Sequence, residues 1–386
     1  MKIYKPRLLI KKNQVRYYVK VKLQRANLGI PNYLWFEFSK KYLPFVSGNS
    51  DVFLACLLPL AMFYKEDIWV SGKVSKKLLE GIKKYQKIFS HWYPDIFYKV
   101  KIFPEQTIDI KNDATGVATA FSGGVDSSFT LFSHLSQITH CLFVHGFDIP
   151  FSDNRGFGVA SRAYDRFLSK HKIKLITVKT NIREITRPVN WNFSHGCALI
   201  GTALLFQKVF SLFYVPSSDT DGSLIPWGSH PKTDPLLSTE STKIAHHGLG
   251  LTRFDKLEKI LDWAELYPLL RVCWVKHSGL KNCCMCHRCI QTMVMLSVLG
   301  KLQNFTNFNR PLTRDAIRGC IYKRGCWVFL SQTISKAKKN KNGALVFDLR
   351  FALFRSKIIV WYEDLVRGLR KFYHQTPLYR PAYRFK

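Results

Sequence analysis

A short apolar run, Val117-Ala118-Thr119-Ala120-Phe121, stops at Ser122-Gly123-Gly124 and gives way to a helical pattern with Phe129, Phe132 and Leu135 on one face. A run of this length reads as a buried strand of a parallel sheet, and the pattern after the glycines reads as the helix that follows it. Two glycines at such a junction let the backbone approach a ligand closely. The helix start adds N–H groups and the positive end of a dipole, and Ser122, Ser127 and Ser128 add hydroxyls. Asp126 then stands where it would meet a metal ion accompanying a phosphate. The Lys-Ser/Thr ending of the P-loop is missing, so this is a nucleotide cradle of another kind.

The alternation continues downstream. Thr139–Val144, Lys174–Val178 and Phe210–Val215 read as strands, with helical patterns at Val159–Lys170 and Gly196–Lys208 between them. Such spacing predicts right-handed βαβ units and a parallel-sheet α/β domain. Ligands of these sheets bind beyond the carboxyl ends of the strands. That rule gathers the Ser122 loop, His145-Gly146-Phe147-Asp148, the segment after Val178, and Pro216-Ser217-Ser218-Asp219 around one cleft.

Three domains are expected. Residues 1–112 read as a small basic α+β accessory domain, with alternating strands over Lys2–Phe38 and helices over Asp51–Tyr64 and Ser75–Trp92. Residues 113–300 form the α/β domain. Residues 301–386 form a basic, mostly helical extension with a Lys-rich run at Ile334–Lys341, an amphipathic helix over Ala352–Phe372 and a tail from Tyr379 to Lys386.

Net charge is +33, and its distribution is uneven. Lys plus Arg outnumber Asp plus Glu by 21 to 8 before residue 113, by 19 to 14 over 113–300, and by 19 to 4 afterwards. Basic flanks attract polyanions: nucleic acid (tRNA or DNA), an acidic protein or an anionic membrane surface. A generally Lys-rich proteome accounts for the same excess without a partner. Met1–Lys22 lacks the uninterrupted apolar core of a secretory signal, and the longest apolar run, Val52–Tyr64, is too short for a membrane span. The expected location is therefore the cytoplasm, and homo-oligomerisation stays open.

Ten cysteines in such a chain favour metal ligands or free thiols over disulfides. Cys283, Cys286 and Cys289 form overlapping Cys-x-x-Cys pairs, and Cys273 supplies a fourth thiolate ten residues upstream. Four thiolates suit structural zinc, and a [4Fe–4S] cluster is the alternative. Cys284 is a spare, because adjacent cysteines can hardly both face one ion.

Ser122-Gly123-Gly124-Val125-Asp126-Ser127 resembles the PP-loop of the N-type ATP pyrophosphatases. The lone Cys273 followed by Cys283, Cys286 and Cys289 resembles the zinc site of the 7-cyano-7-deazaguanine synthase branch of that superfamily. The resemblance covers roughly residues 115–300. It implies a Rossmann-like, adenine-nucleotide-hydrolase-like domain that splits ATP into AMP and pyrophosphate with Mg²⁺. The AMP passes to a carboxylate or carbonyl oxygen of an acceptor, which a nitrogen nucleophile then attacks. Where the synthases carry their base-binding segment, this chain has the longer loop Tyr214–Pro231, which identifies it as a divergent relative and leaves the acceptor open.

On this reading Asp126, Ser127 and His195 are the catalytic set, with Asp126 on magnesium. Ser122, Gly123, Gly124, Val125, Asp126, Ser127, His145, Ser217, Ser218 and Asp219 hold the nucleotide, and Cys273, Cys283, Cys286 and Cys289 hold zinc. His195 opens a helix, where it caps, binds phosphate or transfers protons. Cys197 is a nucleophile or buried packing, and Asp219 and Asp221 are ligands or plain turn acids. The rival function is a nucleic-acid-binding or tRNA-modifying protein that keeps the loop as a nucleotide sensor without turnover.

Overall fold

The computed structural model describes residues 1–24, 29–109, 111–218, 224–273, 275, 279–322 and 324–375. By its internal contacts the chain forms two compact units. One comprises Met1–Asn282 with Phe305–Asn307, and the other comprises Cys283–Asn304 and the chain from Phe308 onward.

The first unit is α/β, built on one large, mostly parallel sheet of eleven strands. Its first half supplies β1 (Lys2–Ile3), β2 (Arg7–Lys11), β3 (Gln14–Lys22), β4 (Tyr33–Ser39), β5 (Ile68–Ser75) and β6 (Ile102–Ile108). The second half supplies β7 (Gly116–Ala120), β8 (His140–His145), β9 (Lys174–Thr180), β10 (Phe210–Pro216) and β11 (Lys243–His247). Alternate residues of β3 and β4 (Val15, Tyr17, Val19 and Leu34, Phe36, Phe38) are buried, the period of two expected of strands with one face on a core.

The sheet runs β11-β10-β7-β8-β9-β4-β3-β1-β5-β6, with β2 beside β3. From β11 to β9 all pairings are parallel. The order β9-β8-β7-β10-β11 is the doubly wound one, in which the chain starts at the centre, builds outward and then returns to the other side of its first strand. The switch point therefore lies between β7 and β10.

Helices α3 (Val125–Ser133) and α4 (Asn154–Lys170) make the crossovers on one side of the switch, and α6 (Trp191–Leu204) makes the return crossover on the opposite face. Over α6 lies α1 (Asp51–Tyr64), buried from Asp51 to Met62. The two helices approach closely at Gly201, where a Cβ would stand 2.4 Å from Cys56 Sγ. The start of α2 (Lys76–Trp92) is capped as its sequence predicts, with Ser75 Oγ accepting from Leu78 N–H. Each large apolar side chain buried in α1 is worth roughly 1.5–3 kcal/mol relative to exposure.

The expected boundary at 112/113 does not divide this unit. β4 pairs antiparallel with β9, Glu37 opposite Lys179, so the sheet runs from the N-terminal residues straight into the central ones. The boundary expected at 300/301 appears instead at Asn282/Cys283. The second unit holds α8 (His287–Val298), α9 (Arg314–Gly319), α10 (Trp327–Lys339) and α11 (Gly343–Gln375). In it Asn340 Nδ2 donates to the Val298 carbonyl at 2.7 Å, tying the last turn of α8 to the turn after α10. Among the described residues, no helix is long and apolar enough to cross a membrane.

Candidate functional site

The loop between β7 and α3 is held by its own hydroxyls. Ser127 Oγ donates to the Gly124 carbonyl at 3.1 Å and accepts the Ser122 N–H at 3.3 Å, with Ser122 Oγ 3.4 Å away. Gly123 sits at φ +73°, and a Cβ there would lie 2.1 Å from the Tyr164 hydroxyl oxygen. Its carbonyl accepts the Arg271 N–H at 2.8 Å, while Tyr164 donates to the Ser122 carbonyl at 3.1 Å. Gly124 is the N-cap residue of α3, and Val125, the first helical residue, is fully buried. The loop is therefore clamped from behind by Tyr164 and Arg271.

Asp126 does not stand alone. Arg253 Nη1 donates to its Oδ2 at 2.7 Å, and Lys256 Nζ lies 3.8 Å from its Oδ1. Lys256 also donates to the Ser217 carbonyl at 2.7 Å. Both bases project from α7 (Arg253–Lys259), whose start is fixed by a capping box between Thr252 and Asp255. Their side chains are 9% and 1% exposed, so this is an interior charge cluster. Arg271, also buried, reaches the Asp148 carbonyl at 3.4 Å. Three interior bases thus border a loop that carries one carboxylate.

Asp126 Oδ1 is buried and accepts no hydrogen bond. An oxygen of that kind fits a cation, but the two neighbouring bases fit a phosphate-bearing anion better than a bare metal ion. A magnesium ion would fit here only in company with a polyanion.

Ser217 closes the other side of the switch point. It is buried, its N–H bonds the His247 carbonyl at 2.8 Å, and Lys256 links it to Asp126. Ser218 is exposed beside it, and Asp219 and Asp221 lie outside the described residues. The structure thus brings Ser122, Asp126, Ser127 and Ser217 to one place.

His145 and His195 are placed differently. His145 is buried, bonds the Pro150 carbonyl through Nε2 at 3.0 Å and stacks on Phe157 with 4.3 Å between centroids. His195 Nδ1 donates to the Trp191 carbonyl one turn back at 3.1 Å, and its ring lies between Trp191 and Trp227. Burial lowers the pKa of both, which keeps them neutral near pH 7. Among the described residues neither is joined to the Ser122 loop by a hydrogen bond or ion pair. Cys197 is packing: it is fully buried, donates to the Tyr85 hydroxyl at 3.3 Å, and burial pushes its thiol up to about 12. A thiol in that state is not a nucleophile.

The sulfurs of Cys273, Cys283, Cys286 and Cys289 all lie within 4.8 Å of one another, a group able to hold a metal ion. Cys283 Sγ accepts N–H bonds from Met285 at 3.4 Å and Cys286 at 3.2 Å, and lies 3.8 Å from Cys289 Sγ. A tetrahedral ion with metal–sulfur bonds of about 2.3 Å sets sulfurs about 3.8 Å apart. Cys284 takes φ +58° and buries its side chain outside the set of four. Upstream, Asn282 accepts the N–H groups of Val272 and Cys273 and donates to the Leu270 carbonyl, fixing the irregular segment that presents Cys273.

Arg253, Lys256, Arg271 and Tyr164 are site residues that the sequence does not reveal. Thr252-Arg253-Phe254-Asp255 reads as a capped helix start, a local signal with no functional content. His246, which the sequence leaves without a role, bonds Asp234 Oδ2 through Nδ1 at 2.7 Å, with Ser229 on the same carboxylate oxygen. No protein-family model matches the chain, and no curated protein or solved structure matches it either.

Proposed function

We propose that the chain is an ATP-dependent adenylating enzyme of the PP-loop type, related to the 7-cyano-7-deazaguanine synthases. The observation that carries this reading is the Ser122–Ser127 loop at the sheet's switch point, bordered by the interior bases Arg253, Lys256 and Arg271. The loop's main-chain and hydroxyl groups bind the polyphosphate, and Arg253 and Lys256 neutralise charge that grows on the departing pyrophosphate. An acceptor carboxylate or carbonyl oxygen attacks the α-phosphorus, pyrophosphate leaves, and a nitrogen nucleophile then displaces AMP. Asp126, whose Oδ1 accepts no hydrogen bond, would be the residue to hold a magnesium ion arriving with ATP, and that ion would supply shielding of the phosphate charge.

The four cysteines hold zinc in a closed, structural site. Their mutual distances favour one ion over a [4Fe–4S] cluster, whose irons and sulfides would hold the thiolates farther apart. The basic termini suit a nucleic acid or an acidic macromolecule as acceptor or partner.

The test is product analysis after incubation with ATP, Mg²⁺ and candidate acceptors. AMP and pyrophosphate are expected, with the yield reduced at least about tenfold in Arg253→Met. ADP and phosphate would contradict the reading. ATP binding without turnover, together with salt-sensitive RNA binding, would instead establish the nucleotide-sensor alternative.

A further inference from the structure

Helix α11 packs one face against α9 and α10, burying Leu345, Leu349, Ala352, Ser356 and Val360. Its outer face carries Phe347, Phe351, Phe354, Ile358, Trp361 and Leu365, which are 45–65% exposed. The steps between them alternate four and three residues, so they form one straight ribbon. At 1.5 Å per residue it is about 27 Å long. Isolated exposed apolar residues are ordinary, but a contiguous aromatic ribbon marks an interaction surface.

Its flanks are cationic. Arg350 and Lys357, seven residues apart, are exposed along one side of it, Arg355 borders the other, and Arg318 stands 5.4 and 5.9 Å from the rings of Phe347 and Phe351. Of the helix's three acids, Asp348 is buried beneath Arg314 and Arg318, and Asp364 is paired with Arg324. Glu363 alone is left to offset the cations. A second copy of the chain fits this ribbon poorly. Of the heptad positions beside the seam, Asp348 and Asp364 are already paired with arginines of their own unit and Arg350, Arg355 and Lys357 are basic, so parallel pairing would set Arg350 against Arg355. A bulky aromatic seam with cationic borders matches instead the helices that lie in the plane of an anionic membrane surface.

We propose that this ribbon docks the protein on an anionic bilayer, with its aromatic side chains at the boundary between headgroups and acyl chains. The proposal is independent of the adenylation reading, since it concerns α11 and its neighbours alone. The helix lies on the membrane without crossing it, in accord with the lack of a spanning helix among the described residues.

A protein of net charge +33 will approach anionic vesicles through charge alone, so the test must separate apolar from electrostatic binding. The full chain is floated with phosphatidylcholine vesicles containing about one-third phosphatidylserine. Phe354→Ser with Trp361→Ser leaves net charge unchanged and touches exposed positions only; partition is expected to fall about tenfold or more. Brominated lipids are expected to quench part of the tryptophan fluorescence, and that part should vanish in Trp361→Phe while flotation persists. Equal flotation of the double variant and the parent would overturn the proposal. So would quenching unchanged in Trp361→Phe. A double variant that turns a dimer into a monomer, or loses single-stranded RNA affinity, while floating normally would assign the ribbon to that partner instead.

Discussion

Gly123 and Gly124 are neighbours in sequence but carry different demands. Gly123 needs a left-handed backbone and has Tyr164 against the place a side chain would occupy. Gly124 sits at φ −79°, and a Cβ there would meet Ser122 Oγ at 3.4 Å, an ordinary contact. Gly123→Ala is therefore expected to cost on the order of 2–4 kcal/mol, and Gly124→Ala less than about 1 kcal/mol. Urea unfolding midpoints of the two variants check the contrast; equal costs would mean that the loop is not clamped by Tyr164. Arg253 makes a second case. Arg253→Met leaves the Asp126 carboxylate short of its main partner, whereas Asp126→Asn in the same chain removes the need for one. A double-mutant cycle is expected to give a coupling of about 1–3 kcal/mol. The diglycine signature was legible because everything that forms it lies within a dozen residues. Arg253 was not, because only the folded sheet brings it to a carboxylate 127 residues away.

Strands and helices show the same division. β7, β8, β10 and the helices α1 and α2 are legible as local patterns of apolar residues and caps. β11 is not: it is five residues long, ends in two histidines, and is a strand because β10 lies parallel beside it. Two histidines on these strands give the sheet a pH response. Burial lowers His140, at the start of β8, to about 4, with Lys174 adding to the effect; it lowers His247, at the end of β11, to about 4, with His134 and Lys256 adding. The unfolded chain protonates these groups near pH 6.5, before the folded chain does. Their contribution to stability is therefore complete above pH 6.5, falls as pH drops toward 4, and levels off below that. The slope is at most about 1.4 kcal/mol per pH unit for each, less for the partly exposed His247. His140→Gln and His247→Gln should flatten the wild-type decline in urea midpoint between pH 7 and 4; an unchanged slope would show that neither is buried as a neutral base. The cysteine turn makes a separate prediction at this scale. Cys286→Ser is expected to lose the bound metal and Cys284→Ser to keep one ion per chain, read by elemental analysis of the purified protein. Metal lost equally from both would remove Cys284 from its role as a bystander.

At the scale of the molecule, the first 112 residues are part of the sheet that holds the loop. In sequence they form a unit of their own, because strand alternation and helix caps are local and carry no record of which edge a strand will join. The pairing of Phe36 with Thr180 and of Phe38 with Val178 decides the matter. So does α1, which covers Cys197, Ala198 and Gly201 of α6 at contact distance. A chain starting at residue 113 would expose the edge of β9, an unpaired row of N–H and C=O groups, together with the apolar face of α6. Such a fragment is expected to be insoluble or to elute as aggregate on size exclusion. Co-expression of residues 1–112 should restore part of the soluble yield, because the missing strands and α1 can re-form the same contacts in trans. A monomeric 113–386 fragment with cooperative unfolding would show that the N-terminal residues are an accessory after all. Loop geometry would respond as well. β9 is braced by β4, and β8 and β7 follow in order, so freeing that edge loosens the strand from which Ser122 and Gly123 project.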